Sequence, residues 1–164
     1  MKPGIRLVFL LIFLGCAGAL AYALYLQLVR HLLPCPLCVV QRIAYWLVGL
    51  TALLAFLHNP RATGRRLYSG LIAMFASTGA IVALRHAWLL RYPEAFECGI
   101  SPEEKFLNAL SIAQWWPSMF EANGDCADST WEFMSLTIPD WSTILFVAFG
   151  SLAGYAYLAK RNRR

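Results

Sequence analysis

Four apolar runs constrain this chain more than any other feature: about Leu7 to Val29, Val39 to Leu57, Leu67 to Leu84 and Trp141 to Leu158. Each is roughly 18 to 23 residues, which at about 1.5 Å rise per residue crosses a hydrocarbon core of about 30 Å with little tilt. Lipid offers the backbone no hydrogen-bond partner, so the spans are expected to be helices. The predicted fold is all-α, a four-helix transmembrane bundle with a short and a long loop on one side. At 164 residues, 59 % of them hydrophobic, the chain has room for one such domain and an apolar share well above that of a water-soluble one. Small residues recur in the spans, among them Gly15, Gly18, Gly79, Gly150 and Gly154, and are expected to let helix backbones approach.

The first span has some features of a signal peptide, with Lys2 and Arg6 ahead of an apolar run, the stretch "GCAGALAYA", and "FLGC" faintly similar to a lipoprotein cleavage site. Signal cores run about 7 to 15 residues, whereas this one continues to Val29 with only Gln27 interrupting it, so a retained span is expected.

Charge sets the orientation. Lys2, Arg6, Arg61, Arg65, Arg66, Lys160, Arg161, Arg163 and Arg164 fall on one side of an alternating four-span chain, and Arg30, Arg85, Arg91 and Lys105 on the other. The excess of Lys and Arg predicts both termini and the loop "HNPRATGRR" in the cytoplasm. All 9 acidic residues lie between Glu94 and Asp140, so the net charge of +5 is a basic cytoplasmic face plus a mildly acidic outer loop. Nothing in that pattern calls for nucleic acid.

This orientation sends Cys35 and Cys38 outward on a short loop, about 30–38, and Cys98 and Cys126 on a long one, about 85–140. Four of the 5 cysteines thus face the side on which disulfides persist. Cys16, inside the first span, reads as a small core residue. The Cys-x-x-Cys spacing serves zinc, haem and redox pairs alike. A c-type haem site wants His where Val39 stands, and zinc usually wants a second close pair of ligands. Inert disulfides stapling the loops remain an alternative.

The redox reading rests on electrostatics. Cys38 falls in the first turn of the second span, where unpaired N–H groups and the helix dipole favour an anion, and Arg42 follows at i+4 on the same face. Both favour the thiolate, the reactive form. Arg42 also has a simpler reading, as a helix-end arginine snorkelling to headgroups. Between the loop cysteines, "PEEKFLNALSIAQWWPSMF" carries Phe106, Leu107, Leu110, Ala113 and Trp116 at helical spacing and predicts an amphipathic helix, lying on the membrane surface with Trp115 and Trp116 at headgroup depth or packed on the bundle.

These residues resemble a known family. "CPLCVVQR" before a hydrophobic helix, "HAWLLRYP" before Cys98 and "NGDCADSTWEFMSLTIPDW" after it are similar to the disulfide bond formation protein B (DsbB) family, over nearly the whole chain. The resemblance implies a bacterial inner-membrane thiol oxidoreductase that takes electrons from a soluble periplasmic DsbA-type thioredoxin-fold protein. It passes them to ubiquinone, or to menaquinone without oxygen. It further implies that Cys98 and Cys126 form the disulfide attacked by the partner, at Cys98. Cys35 and Cys38 then form the membrane-edge disulfide that re-oxidises the loop pair through a Cys35–Cys126 link. Cys38 faces the quinone, Arg42 matches the quinone-site arginine, and His86 matches a position near the ring, although a His at the outer end of the third span could equally be interfacial. No metal is implied. Two other functions stay open at this point: a membrane protein with purely structural disulfides, and a conduit carrying reducing equivalents outward.

Overall fold

The computed structural model describes residues 3–92, 109, 111–122, 124 and 132–159. Cys98 and Cys126 lie outside the described residues, as do Phe106, Leu107 and Leu110 of the expected surface helix. Four helices are long and apolar enough to cross a membrane: α1 (Pro3–Arg30), α2 (Pro36–His58), α3 (Ala62–Arg91) and, last in the chain, α6 (Ile138–Leu158). They contain the four expected spans and run beyond them, α3 by a further turn or more at each end. Between α3 and α6 come two short helices, α4 (Ser111–Trp115) and α5 (Pro117–Phe120), and a hairpin of β1 (Glu132–Phe133) and β2 (Leu136–Thr137).

Binary patterning explains the bundle. Phe9, Ile12, Cys16 and Leu20 of α1, Val48, Ala52 and Ala55 of α2, Ile72 and Ala76 of α3, and Phe146, Phe149 and Ala153 of α6 recur at three- and four-residue spacing and are buried together. The opposite faces are just as apolar: Leu67, Ile81, Leu84, Val147 and Leu158 are exposed, as a lipid-facing surface requires. Only some of the small residues serve packing. A Cβ on Gly79 would fall 2.6 Å from the Phe146 ring, so its absence lets α6 close on α3, whereas Gly18 and Gly154 face open space. Cys16 packs in the core against Gly49.

α3 and α6 pack most extensively, α1 lies on α2 and α2 on α3, but α1 and α6 meet sparsely. That leaves one side of the bundle open between the first and last spans. At one end Arg6 donates to Phe56 O at 3.2 Å and stacks over the Phe56 ring, and Arg65 donates to Ala159 O beyond the end of α6. The opposite end carries the cysteine pair and an ion pair between Arg91 and Asp140 at 3.0 Å. Asp140 also caps α6, accepting from Thr137 N at 3.0 Å and Thr137 Oγ1 at 2.7 Å.

Two local outcomes differ from the sequence reading. The expected helix is interrupted at Trp116: Pro117 has no N–H to continue α4 and instead starts α5 at its first position. The hairpin was not expected from an apolar-run argument. Its Met134 and Ser135 both have positive φ, 54° and 62°, as a two-residue turn of this hand demands.

Candidate functional site

The site is built at the start of α2. Cys35 is its N-cap, with Sγ accepting the Cys38 N–H at 3.3 Å, and Pro36 occupies the first helical position, where a missing N–H costs nothing. This fixes Cys38 at the third helical position, with its Sγ 3.0 Å from that of Cys35. The two sulfurs differ in setting: Cys35 is 2 % exposed, whereas Cys38 is half-buried and lines a cavity.

That cavity has a volume of about 430 Å³ and lies between α1, α2 and α6, where α1 and α6 fail to close. Its wall is mostly apolar, with Leu20, Leu26 and Leu145 prominent, and its polar side chains come chiefly from one face of α2: Cys38, Gln41, Arg42 and Tyr45. Positions 38, 42 and 45 recur at i, i+4 and i+7 and so share that face.

Arg42 does not snorkel. It is 6 % exposed, and Nη1 donates to Gln27 Oε1 at 2.8 Å and to Ser118 O and Met119 O at 3.3 Å, with Nη2 3.5 Å from Ala23 O. The guanidinium thus ties α1, α2 and α5 together, with Arg42 one helical turn along α2 from Cys38. Met119 and Phe120 are buried over it, and Trp116 packs near Trp46 at a centroid distance of 6.2 Å, which anchors α5 to α2.

His86, from the end of α3 nearest the cysteine pair, is buried rather than interfacial. Its Nε2 lies 3.7 Å from Cys35 Sγ and its Nδ1 4.0 Å from Cys38 Sγ and 3.2 Å from Gln41 Nε2. It stands behind the cysteine pair on the α3 side, and the cavity is lined without it. Among the described residues, the donor atoms of Cys35, Cys38 and His86 all fall within 4.8 Å of one another, three potential ligands where a structural zinc site takes four.

The second loop comes back to this point. Gly124 N donates to Pro34 O at 3.0 Å, beside Cys35, and a Cβ on Gly124 would run into the Leu33 carbonyl. Only glycine allows this approach. The sequence reading missed Gln27, Gln41 and Tyr45 as site residues. Gln27 carried a signal, a lone amide in an apolar span, and such residues face a bundle interior.

Fold and site together define a multi-pass, four-helix membrane protein with a cysteine pair beside a cavity between its helices. A family model described as disulfide bond formation protein DsbB matches residues 5–156. The chain is 67 % identical over 164 residues to the disulfide bond formation protein B of Nitrosospira multiformis, covering 100 % of this chain and 97 % of that one. It is 66 % identical to that of Nitrosomonas eutropha (96 % and 97 % covered) and 40 % identical to that of an Azoarcus species (96 % and 95 % covered). The chain belongs to the DsbB family. Membership makes it a disulfide bond formation protein, with the oxidoreductase chemistry that forming a disulfide requires.

Proposed function

We infer that this protein couples oxidation of a periplasmic DsbA-type dithiol to reduction of a membrane quinone. The observation that carries the reading is the cavity: Cys38 and Arg42 share one wall of a largely apolar space of about 430 Å³, within the usual range for small-molecule sites of about 300–1,000 Å³. An opening between α1 and α6 suits a ligand that arrives through lipid. The donor set fits a quinone head group, since Arg42 and Gln41 offer N–H groups to ring oxygens and most of the remaining wall is apolar. A bound quinone supplies acceptance of two electrons and two protons.

The chain's own steps are thiol–disulfide exchanges, each a thiolate attacking a disulfide sulfur. The partner's thiolate attacks Cys98 and releases Cys126; the partner's second thiol then releases Cys98, leaving the partner oxidised and the loop pair reduced. Cys126 attacks Cys35 of the Cys35–Cys38 disulfide and releases Cys38 as a thiolate. Cys98 resolves the Cys35–Cys126 link and restores the loop disulfide. Cys35 and Cys38 now hold the electron pair beside the cavity, and re-forming their bond passes two electrons and two protons out of the pair. Gly124 held against Pro34, two residues before Cys126 in the sequence, supports the loop-to-pair handover. Arg42 stabilises the Cys38 thiolate and orients the ring, and His86, behind the sulfurs, takes and returns the thiol proton. The basic end of the bundle is read as cytoplasmic and the cysteine end as periplasmic, in the bacterial inner membrane.

The test is purified protein with a reduced DsbA-type partner and a short-chain ubiquinone, followed by loss of quinone absorbance. One quinone reduced per partner disulfide formed, abolished in Cys38→Ser, is the expected result; partner oxidation without quinone reduction overturns the coupling.

A further inference from the structure

In sequence the Cys-x-x-Cys pair has no second close pair of ligands to complete a zinc site. The fold brings a third ligand from a different helix. His86 of α3 lies against the start of α2, with Nε2 3.7 Å from Cys35 Sγ, and the donor atoms of Cys35, Cys38 and His86 gather within 4.8 Å. Two sulfurs and one imidazole are the protein ligands of a zinc site that keeps one position open, unlike the four of a closed structural site. The dimensions fit with a small adjustment. Bonds of about 2.3 Å to sulfur and about 2.0 Å to nitrogen in tetrahedral geometry set two sulfurs about 3.8 Å apart, and sulfur and nitrogen about 3.5 Å apart. The separation of Cys35 Sγ from Nε2 is close to that, whereas the two sulfurs, at 3.0 Å, must part by about 0.8 Å. Cys38 lines the cavity, so its side chain has room to move, and the same space admits a water as fourth ligand.

Gln41 completes the arrangement. Its side-chain nitrogen is 3.2 Å from His86 Nδ1, which leaves Nε2 as the nitrogen available to a metal. A carboxamide turned over presents its oxygen in place of its nitrogen. With that oxygen accepting from Nδ1–H, the lone pair is fixed on Nε2, and metal-bound histidines are commonly held in this way. Charge agrees as well. Two thiolates cancel a divalent cation, so the complex buries no net charge beside Arg42, one turn along α2. The two thiols release their protons on binding. A disulfide offers no thiolate, so the site exists only when the pair is reduced. We propose that the reduced Cys35 and Cys38, together with His86, form a zinc-binding site that holds both sulfurs and stops them from re-forming their disulfide. Binding itself needs neither partner nor quinone; the inhibition rests on the function proposed above.

The test uses the full chain in detergent with Cys98→Ser and Cys126→Ser, so that the loop thiols contribute nothing, and zinc or cobalt ions alone as probes. The reduced protein should take up one equivalent of zinc with a Kd below about 1 µM. The oxidised protein should bind at least about a hundredfold more weakly, having lost both thiolates. His86→Ala should weaken binding by about a hundredfold, since it removes a ligand and not merely the group that orients one. Cys16→Ala should leave Kd unchanged, because that thiol packs in the core. Cobalt should show the charge-transfer absorption of two thiolates and the visible bands of tetrahedral coordination, read on the unmutated triad and so independent of how the His86 variant folds. Equal binding by the two redox forms, an unaltered Kd in His86→Ala, or a cobalt spectrum without two thiolates overturns the site. In the unmodified chain with partner and quinone, zinc near that Kd should halt quinone reduction and a chelator should restore it. Zinc that binds without slowing turnover overturns the inhibition, whereas protein that reduces no quinone even without zinc overturns the function proposed above and leaves the metal site standing.

Discussion

Gln27 Oε1 accepts a hydrogen bond from Arg42 Nη1 at 2.8 Å, joining the first span to the second beside the cysteine pair. A buried cation needs its donors satisfied, and here one side-chain amide and the carbonyls of Ser118, Met119 and Ala23 do so. The guanidinium is thereby held at a set height on the cavity wall. Arg42→Met removes a charged donor, and the quinone KM should rise by about 10- to 100-fold. Arg42→Lys should recover only part of this, since one ammonium lacks the second fork nitrogen that reaches Ala23 O while Nη1 serves Gln27 and the α5 carbonyls. Gln27→Leu should cost about three- to tenfold, because the carbonyls still hold Arg42. Steady-state kinetics at varied quinone, with folding checked by thermal melting in detergent, decides; Gln27→Leu with wild-type KM would show that the carbonyls alone position the arginine.

Gly124 meets the segment ahead of Cys35 through its own N–H and the room its missing Cβ leaves. In Gly124→Ala the methyl would occupy the space of the Leu33 carbonyl, so the loop must lift from Pro34. Electron transfer from the loop pair to Cys35 and Cys38 should slow by about tenfold or more, at a cost of at least about 1.4 kcal/mol in the barrier. Quinone affinity should not change, since Gly124 lies outside the cavity wall. Rapid mixing of partner-reduced protein, with acid trapping of thiols, reads the step directly.

The spans were legible because a bilayer demands a length and a hydropathy that few other contexts do, and each expected run falls inside a helix. The Cys-x-x-Cys pair was legible from its spacing at the start of a span and Arg42 because a charge is costly there, and the i, i+4 spacing of Cys38 and Arg42 puts them on one face. Tyr45 was not, since an aromatic at that spacing reads as core, and only its place in the cavity wall separates it from Phe146. His86 could be aligned with a site but not aimed: whether it faces the cavity or the sulfurs depends on the rotation of α3 against α2, which no single-helix pattern encodes. The break at Trp116 was written in Pro117 and was overridden in the sequence reading by the apolar spacing around it.

Asp140 joins two functions, capping α6 through Thr137 and pairing with Arg91 at the end of α3. Asp140→Ala should lower stability by about 0.5–2 kcal/mol, the usual worth of an N-cap interaction. Arg91 is 54 % exposed, so Arg91→Ala should cost less, about 1 kcal/mol at most. Denaturation of the purified protein in mixed micelles compares the two, and equal losses would assign the stabilisation to the ion pair instead of the cap.

The proposed direction of electron flow is supported by exposure. Cys35 is 2 % exposed and packed among Cys38, His86 and the segment to which Gly124 returns, so a soluble protein's thiolate cannot approach its sulfur in line. Cys38 is more open, but toward a cavity within the bundle. In the proposed relay the partner meets the long loop, with Cys98 as its target. In Cys98→Ser the partner should therefore stay reduced, and quinone reduction should fall by about a hundredfold or more, because the first exchange has lost its disulfide. In Cys38→Ser the loop disulfide, where formed, should still accept one pair of electrons and then stall. Quinone reduction in Cys98→Ser at near the wild-type rate would mean that the partner attacks Cys35 or Cys38 directly, which the burial of that pair in this fold does not allow without opening the loop from Pro34.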